Sequence, residues 1–283
     1  MIATQFVDDS VRVLEKPSIP GLVFRRFRGS ADYPAMLSVL EGAKVADGIE
    51  RSETIEDVAR SYRHLHNCDP ERDMLLVEID ERVVGYGRVW WDREVMGDYL
   101  YQHFAFLLPV ARGKGIRRAM LRHNERRLRE IATGHPNNGA RLFDTWAADS
   151  ESQWIALLES ERYAAIRHHY DMVRPGLNGI PSMPLPEMIE VRPVEPEHVP
   201  TIFEAAREAF QDEWAEREWQ DDELEAWKES PTYNPDLWQV AWDGDQVAGM
   251  VLNFVNAQEN EEYGRLRGYT ESICVRRPWR RQG

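Results

Sequence analysis

The stretch "LPVARGKGIRRAML", residues 108–121, joins two patterns of different period. Ahead of it, "YLYQHFAFLLP" (99–109) is an apolar, strand-like run. Behind it, Ile116, Met120, Asn124, Leu128 and Ile131 recur at spacings of three and four, which marks one face of a helix. A strand, a tight turn and a helix start bring several free backbone N–H groups to one point, and the helix dipole adds positive potential there. Glycine lets the backbone turn sharply and approach an anion, and arginine adds a charge-assisted contact. Taken alone, R-x-x-G also describes an ordinary strand-to-helix turn with solvated arginines. Neither G-x-x-x-x-G-K-[ST] nor G-x-G-x-x-G occurs, so a Walker loop and a dinucleotide fold are not expected.

A second copy of the phrase ends the chain as "RPWRRQG" (277–283), and other landmarks repeat with it. Arg26 in "FRRFRGSADYPAM" matches Arg192 in "EVRPVEPEHVPTI", 192 − 26 = 166. Gly85 in "DERVVGYGRV" matches Gly249 in "GDQVAGMVLN", 249 − 85 = 164, and Gly115 matches Gly283, 283 − 115 = 168. Order and spacing are both kept, which argues for a duplicated unit. Each half reads as strand, helices, hairpin, strand, arginine-glycine turn. In the first half "LVFRRF" is a strand, "DYPAMLSVLEGAKVA" and "TIEDVARSYRHLHN" are helices, and "DMLLVEID" with "RVVGYGRVWW" is a hairpin. After the turn's helix, "ARLFDTWAA", "SESQWIALLES" and "YAAIRHHYDMVR" read as strand, helix and strand. The second half has no counterpart of these, so the expectation is a chain that ends inside its second repeat. "RPGLNGIPSMPLPE" (174–187), with four prolines and two glycines, reads as the linker.

Bulk properties agree with two packed domains. The 283 residues suggest about two domains as a soft prior, and 42% hydrophobic residues with ten tryptophans suffice for cores. Apolar runs fall far short of the ~20 residues of a membrane helix, and the first residues lack a secretory pattern. Cys68 and Cys274 form neither a ligand cluster nor a disulfide framework, so a cytoplasmic location is expected. The net charge of −14 argues against nucleic acid as a partner. "RHHYD" (167–171) lacks ligand spacing, so no metal is expected.

In its context, Arg112-Gly113-Lys114-Gly115-Ile116-Arg117 resembles motif A of the GNAT superfamily of acyl-CoA-dependent N-acyltransferases, R/Q-x-x-G-x-G/A. Arg280-Arg281-Gln282-Gly283 resembles its beginning. The duplication looks like the tandem, mycothiol synthase-like branch. The resemblance implies an α+β fold of two GNAT domains, each a twisted mixed central sheet flanked by helices, the second stopping after its turn. The implied boundaries are 1–174, a linker at 175–187, and 188–283. It also implies acetyl-CoA as co-substrate, a small-molecule amine acceptor attacking the thioester directly, and a monomer or homodimer. By position, Ala105, Phe106 and Leu107, and in the second half Ile273, Cys274 and Val275, would offer backbone groups to the pantetheine arm. The two turns would hold the pyrophosphate.

The halves differ at positions that matter. Arg117 stands where the motif has Gly or Ala, and would either crowd the phosphate or swing out to help it. Leu158 stands where the family often has a tyrosine, and a leucine cannot reprotonate a thiolate. The first half is therefore expected to be catalytically weak, though any cofactor on this chain is expected at Arg112–Arg117. Strict alternation puts Glu271, Ile273 and Val275 on one strand face. An amine must be neutral to attack a thioester, so Glu271 is the candidate base, unless it is a surface glutamate in an ion pair. His103 holds the same position in the first half (271 − 103 = 168), as a base or as a buried structural histidine. "REAFQDEWAEREWQDDELEAWKES" (207–230) either greets a cationic acceptor or is an amphipathic helix pair. The alternative to an enzyme is a non-catalytic acyl-CoA-binding or partner-binding module.

Overall fold

The structure is a computed structural model that describes residues 9–282 apart from 214, 215 and 221. Gly283, a candidate of the second turn, and Trp214 of the acidic stretch lie outside the described residues. The chain divides into two compact units, Met1–Leu157 and Leu158–Gly283.

The first unit is built on a five-stranded sheet in the order β1-β2-β3-β4-β5. Its strands are β1 (Leu22–Arg25), β2 (Met74–Ile79), β3 (Arg82–Arg93), β4 (Tyr99–Leu107) and β5 (Arg141–Asp144). Pairing is antiparallel except between β4 and β5, which are joined by a crossover helix and run parallel. The helices are α1 (Tyr33–Asp47), α2 (Ile55–Arg63), the short α3 (Pro70–Asp73) and α4 (Ile116–Ala132), and the division between the units falls within α5 (Ser152–Ser160). Thr54 starts α2 with a capping box closed by Asp57, and Gly48 ends α1 in the left-handed conformation.

Alternation along β3 and β4 sorts their side chains onto two faces. Tyr86, Phe104 and Phe106 join Met36, Val39 and Leu40 of α1 and Val58 of α2 in one core. Val89, Tyr99 and Tyr101 join Leu128 of α4 on the other face. Gly87 makes the α4 side possible, because a Cβ there would stand 2.7 Å from the Phe104 carbonyl and 3.3 Å from Asn124. Through that gap the buried Asn124 donates to Phe104 O at 3.1 Å.

The second unit has a four-stranded sheet, β6-β7-β8-β9, antiparallel throughout. Its elements are β6 (Glu190–Arg192), α6 (Val199–Phe210), α7 (Glu223–Lys228), β7 (Gln239–Asp243), β8 (Gln246–Phe254), α8 (Ala257–Glu262) and β9 (Tyr269–Val275). α6 buries Val199, Ile202, Ala205 and Ala206 against Val240, Trp242, Met250 and Leu252. In the acidic stretch, Trp219 and Trp227 turn inward onto this core, and Trp227 stacks on Trp238 at 4.7 Å. The described residues between α6 and α7 carry no helix, so the helical parts of that stretch are α6 and α7.

One expected strand is absent. "YAAIRHHYDMVR" has no sheet partner and is not a strand. A strand exists only through its neighbours' hydrogen bonds, and Ile166, Tyr170, Met172 and Val173 here are exposed rather than packed. The proline-rich residues 175–187 likewise carry no helix or strand. No helix among the described residues is long and apolar enough to cross a membrane.

Candidate active site

The two arginine-glycine turns fold alike, down to individual hydrogen bonds. Arg112 donates Nε to Leu107 O at 3.0 Å, and Arg280 donates Nε to Val275 O at 2.8 Å. Arg112 also forks onto the Asp47 carboxylate at 2.5 and 2.8 Å, where α1 ends. Arg280 reaches Asp212 at 2.6 Å and Ala209 O at 3.1 Å, where α6 ends. Lys114 donates to Val110 O at 3.0 Å, and Gln282 donates to Pro278 O at 3.0 Å. Gly113 has φ +73° and Gly115 φ +81°, and Arg281 holds the place of Gly113 with φ +65°. Each turn's first arginine therefore ties the last carbonyl of a central strand to the end of the helix below it. Both are committed to that brace.

The strand edges beside the turns are the next layer. Leu108 N bonds Val84 O at 2.8 Å and Arg276 N bonds Ala248 O at 2.9 Å. Alternation from these points aims the backbones of Phe106 and Cys274 at the neighbouring hairpin strand. Ala105 and Leu107 face outward on β4, and Ile273 and Val275 on β9. Of the residues expected to meet the pantetheine arm, Phe106 and Cys274 are thus turned away. On β4, pairing to β5 covers only Tyr99–Gln102, and a gap opens beyond it.

Arg117 fills that gap. Its Nε donates to Ala105 O at 2.8 Å, its Nη2 reaches Glu151 at 3.1 Å, and its guanidinium lies 4.0 Å from the centre of the Trp154 ring. Trp154 is buried and anchored through Nε1 to Trp146 O. Burial lowers the Arg117 pKa, and Glu151 counters it. Neither sequence expectation for Arg117 describes this. The side chain neither crowds the phosphate turn nor swings out, but folds back onto the strand edge. With Thr145 Oγ1 on His103 O at 2.7 Å, every outward carbonyl of β4 from His103 to Leu107 is engaged by a side chain.

The second unit differs at one residue with large consequences. The β8–β9 register runs Gly249↔Val275, Met250↔Cys274, then Leu252↔Glu271. Ser272 and Ile273 therefore oppose the single residue Val251, and Ser272 adopts φ +46°. This is a β-bulge, and it breaks the alternation on which the face assignment rested. Cross-strand partners share a face, so Glu271 lies with Cys274, Met250 and Leu252, opposite to Ile273 and Val275. The equivalence of Glu271 with His103 shifts as well. Gly85↔Leu107 matches Gly249↔Val275, and counting back makes Leu252 the counterpart of Arg88, which pairs with Phe104. Glu271 thus corresponds to Phe104. β4 has no such bulge; its register to β3 is unbroken.

Glu271 is exposed, yet its carboxyl is held above the usual carboxylate range, first by burial among its neighbours and then by the charge of Asp171. The Cys274 thiol is pushed up to about 11 by burial, so it is no thiolate nucleophile near neutrality. Ile273 is 66% exposed on an edge strand. His103 is 1% exposed, edge-on to Trp154, and burial pushes its pKa down to about 4. Leu158 is buried in α5. Among the described residues no group of three or more His, Cys, Asp or Glu could hold a metal ion. Sequence reasoning missed Asp47, Asp212, Glu151 and Trp154, since their pairing with the turn arginines is visible only in three dimensions.

Residues 43–143 match the acetyltransferase (GNAT) family model. A mycothiol acetyltransferase of Geodermatophilus obscurus is 28% identical over 226 residues, which are 77% of this chain and 67% of the relative. A GCN5-related N-acetyltransferase from Sphaerobacter thermophilus superposes with a TM-score of 0.63 at 22% identity, covering 93% of this chain and 78% of that one. An acetyltransferase from Clostridium acetobutylicum, solved with acetyl-CoA, matches 54% of this chain and 96% of its own at 12% identity and a TM-score of 0.41.

Proposed function

We propose, on the premise that this chain is an acetyltransferase carrying a GNAT domain, that it transfers an acetyl group from acetyl-CoA to a primary amine and that its second unit carries the chemistry. The observation behind this reading is the bulge at Ser272–Ile273. It turns a carboxylate of raised pKa to the face of β9 that carries Cys274, beside the exposed Ile273.

The residues of the second unit fit an acyl-CoA arm. The outward N–H and C=O of Ile273 can pair with an extended amide chain as another strand would. When bound, acetyl-CoA supplies the thioester. Glu271 would take the proton of the incoming ammonium and the Ile273 N–H would polarise the acyl carbonyl; as the C–N bond forms the C–S bond would break, and the proton then shed by the nitrogen would go to the departing CoA thiolate. The amine attacks directly, because Cys274 offers no thiolate for a relay. In the first unit the fit fails, since Arg117 holds the carbonyl that the arm would need. We assign that unit a scaffolding role and place the domain boundary in residues 175–187. The acceptor is a small amine of the kind implied by the likeness to a mycothiol acetyltransferase.

Acetyl-CoA turnover by the intact protein, read as thiol release with a panel of primary amines, tests the reading. Amine-dependent release supports it. No release with any amine together with no acetyl-CoA binding overturns it, and binding without turnover favours a non-catalytic acyl-CoA-binding module.

A further inference from the structure

Four segments of the first unit line a half-open polar cavity of about 260 Å³. Arg12 comes from the N-terminal segment, Arg26 from the end of β1, Arg72 from α3, and His123, Arg126 and Arg127 from one face of α4. We propose that this cavity is a binding site for a small molecule bearing a phosphate group, separate from either acyl-CoA groove.

The charge is unusual for this chain. Its net charge is −14, yet five arginines converge here against Glu71 and Glu130. Only part of that positive charge is neutralised within the protein. Arg127 pairs with Asp73 at 2.7 Å and Glu130 at 3.1 Å. Arg26 spends Nη1 on a neutral group, the Glu71 carbonyl, at 2.9 Å. Arg12 and Arg72 make no side-chain hydrogen bond or ion pair among the described residues. Arg126 is the most telling, because its Nη2 is shut off from solvent and has no hydrogen-bond partner among the described residues. Buried polar groups are almost always satisfied, so a guanidinium N–H left without an acceptor in a residue that lines the cavity favours turning that side chain onto an anion there.

The chemistry of that acceptor follows. Guanidinium groups present paired donors that match tetrahedral oxyanions, and several can share one phosphate. His123 is pushed down to about 4 by burial, so near neutrality it adds a neutral N–H or lone pair. The volume admits a phosphate with a small organic body. Arg126 lies ten residues past Ile116, about 15 Å along α4 from the phosphate turn at 1.5 Å per residue, which separates this cavity from the pyrophosphate position.

Titration of inorganic phosphate and of glycerol 3-phosphate into the intact protein, followed by phosphorus NMR, tests the site. Both should bind saturably, and whichever is tighter identifies free phosphate or an ester as the natural form. Arg126→Gln and the exposed Arg72→Gln should each weaken binding about tenfold or more with unchanged melting. Excess CoA should leave the bound phosphate in place. No saturable binding, equal binding by both variants, displacement by CoA, or loss of binding in Lys114→Ala at the turn would each overturn the proposal. Acetyl-CoA turnover is not read here, so failure of this site leaves the acetyltransferase reading intact, and the reverse.

Discussion

Arg112 closes a buried fork on Asp47, with side chains 14% and 8% exposed, and Arg280 repeats the contact on Asp212 with side chains 36% and 33% exposed. The same brace thus serves both units in different surroundings. Its burial decides its worth. Asp47→Asn leaves a buried guanidinium without its countercharge and should cost about 3 kcal/mol. Asp212→Asn should cost far less, with an effect that salt erodes. Urea denaturation of both variants at low and high salt checks the pair. Equal costs would mean that the brace is not governed by burial.

Arg117→Ala removes the side chain lying along the β4 edge and should free Ala105 O for a ligand. Calorimetry with acetyl-CoA should then show the stoichiometry rising from one towards two per chain. An unchanged stoichiometry would show that something other than Arg117 closes the first groove.

Much of this arrangement was legible in the sequence. The duplicated landmarks foretold two sheets of like topology, and even the hairpin bulges agree, at Val77/Glu78 and Ala241/Trp242. The position of α4 followed from its spacing of three and four. What stayed hidden has a physical origin. A bulge adds one residue to a strand without any composition signal, so alternation put Glu271 on the wrong face and the offset of 168 matched it to His103 in place of Phe104. The destination of an arginine depends on which carboxylate the fold brings near, so the pairing of Arg112 with Asp47 and of Arg280 with Asp212 could not be read from the turns themselves. The stretch from Tyr163 to Arg174 looked like a strand because apolar residues suggest one, yet among the described residues no strand pairs with it in a sheet.

The raised pKa of Glu271 sets a pH dependence. A base works only when deprotonated, so activity should fall as pH drops through a value above the usual carboxylate range. Asp171→Asn removes one of the two causes and should move that acid limb of kcat/KM to lower pH. A limb that does not move would remove Asp171 from the environment of the base.

His103 makes a separate prediction about stability. Its folded pKa of about 4 lies below the ordinary 6.5, so in that window the unfolded chain holds the proton and the folded chain does not. Stability from this residue is full above pH 6.5 and falls as pH falls towards 4, by up to about 3 kcal/mol. Denaturation midpoints measured between pH 7 and 4.5 should fall less steeply in His103→Gln than in the parent. Parallel curves would place the proton on His103 in the folded state.

The decisive experiment is amine-dependent thiol release from acetyl-CoA by the intact protein and by Glu271→Gln. The parent should release CoA only when a suitable primary amine is present. The variant should bind acetyl-CoA and melt as the parent does, with turnover lower by about a hundredfold or more. Undiminished amine-dependent release by Glu271→Gln would contradict the assignment of the base to β9.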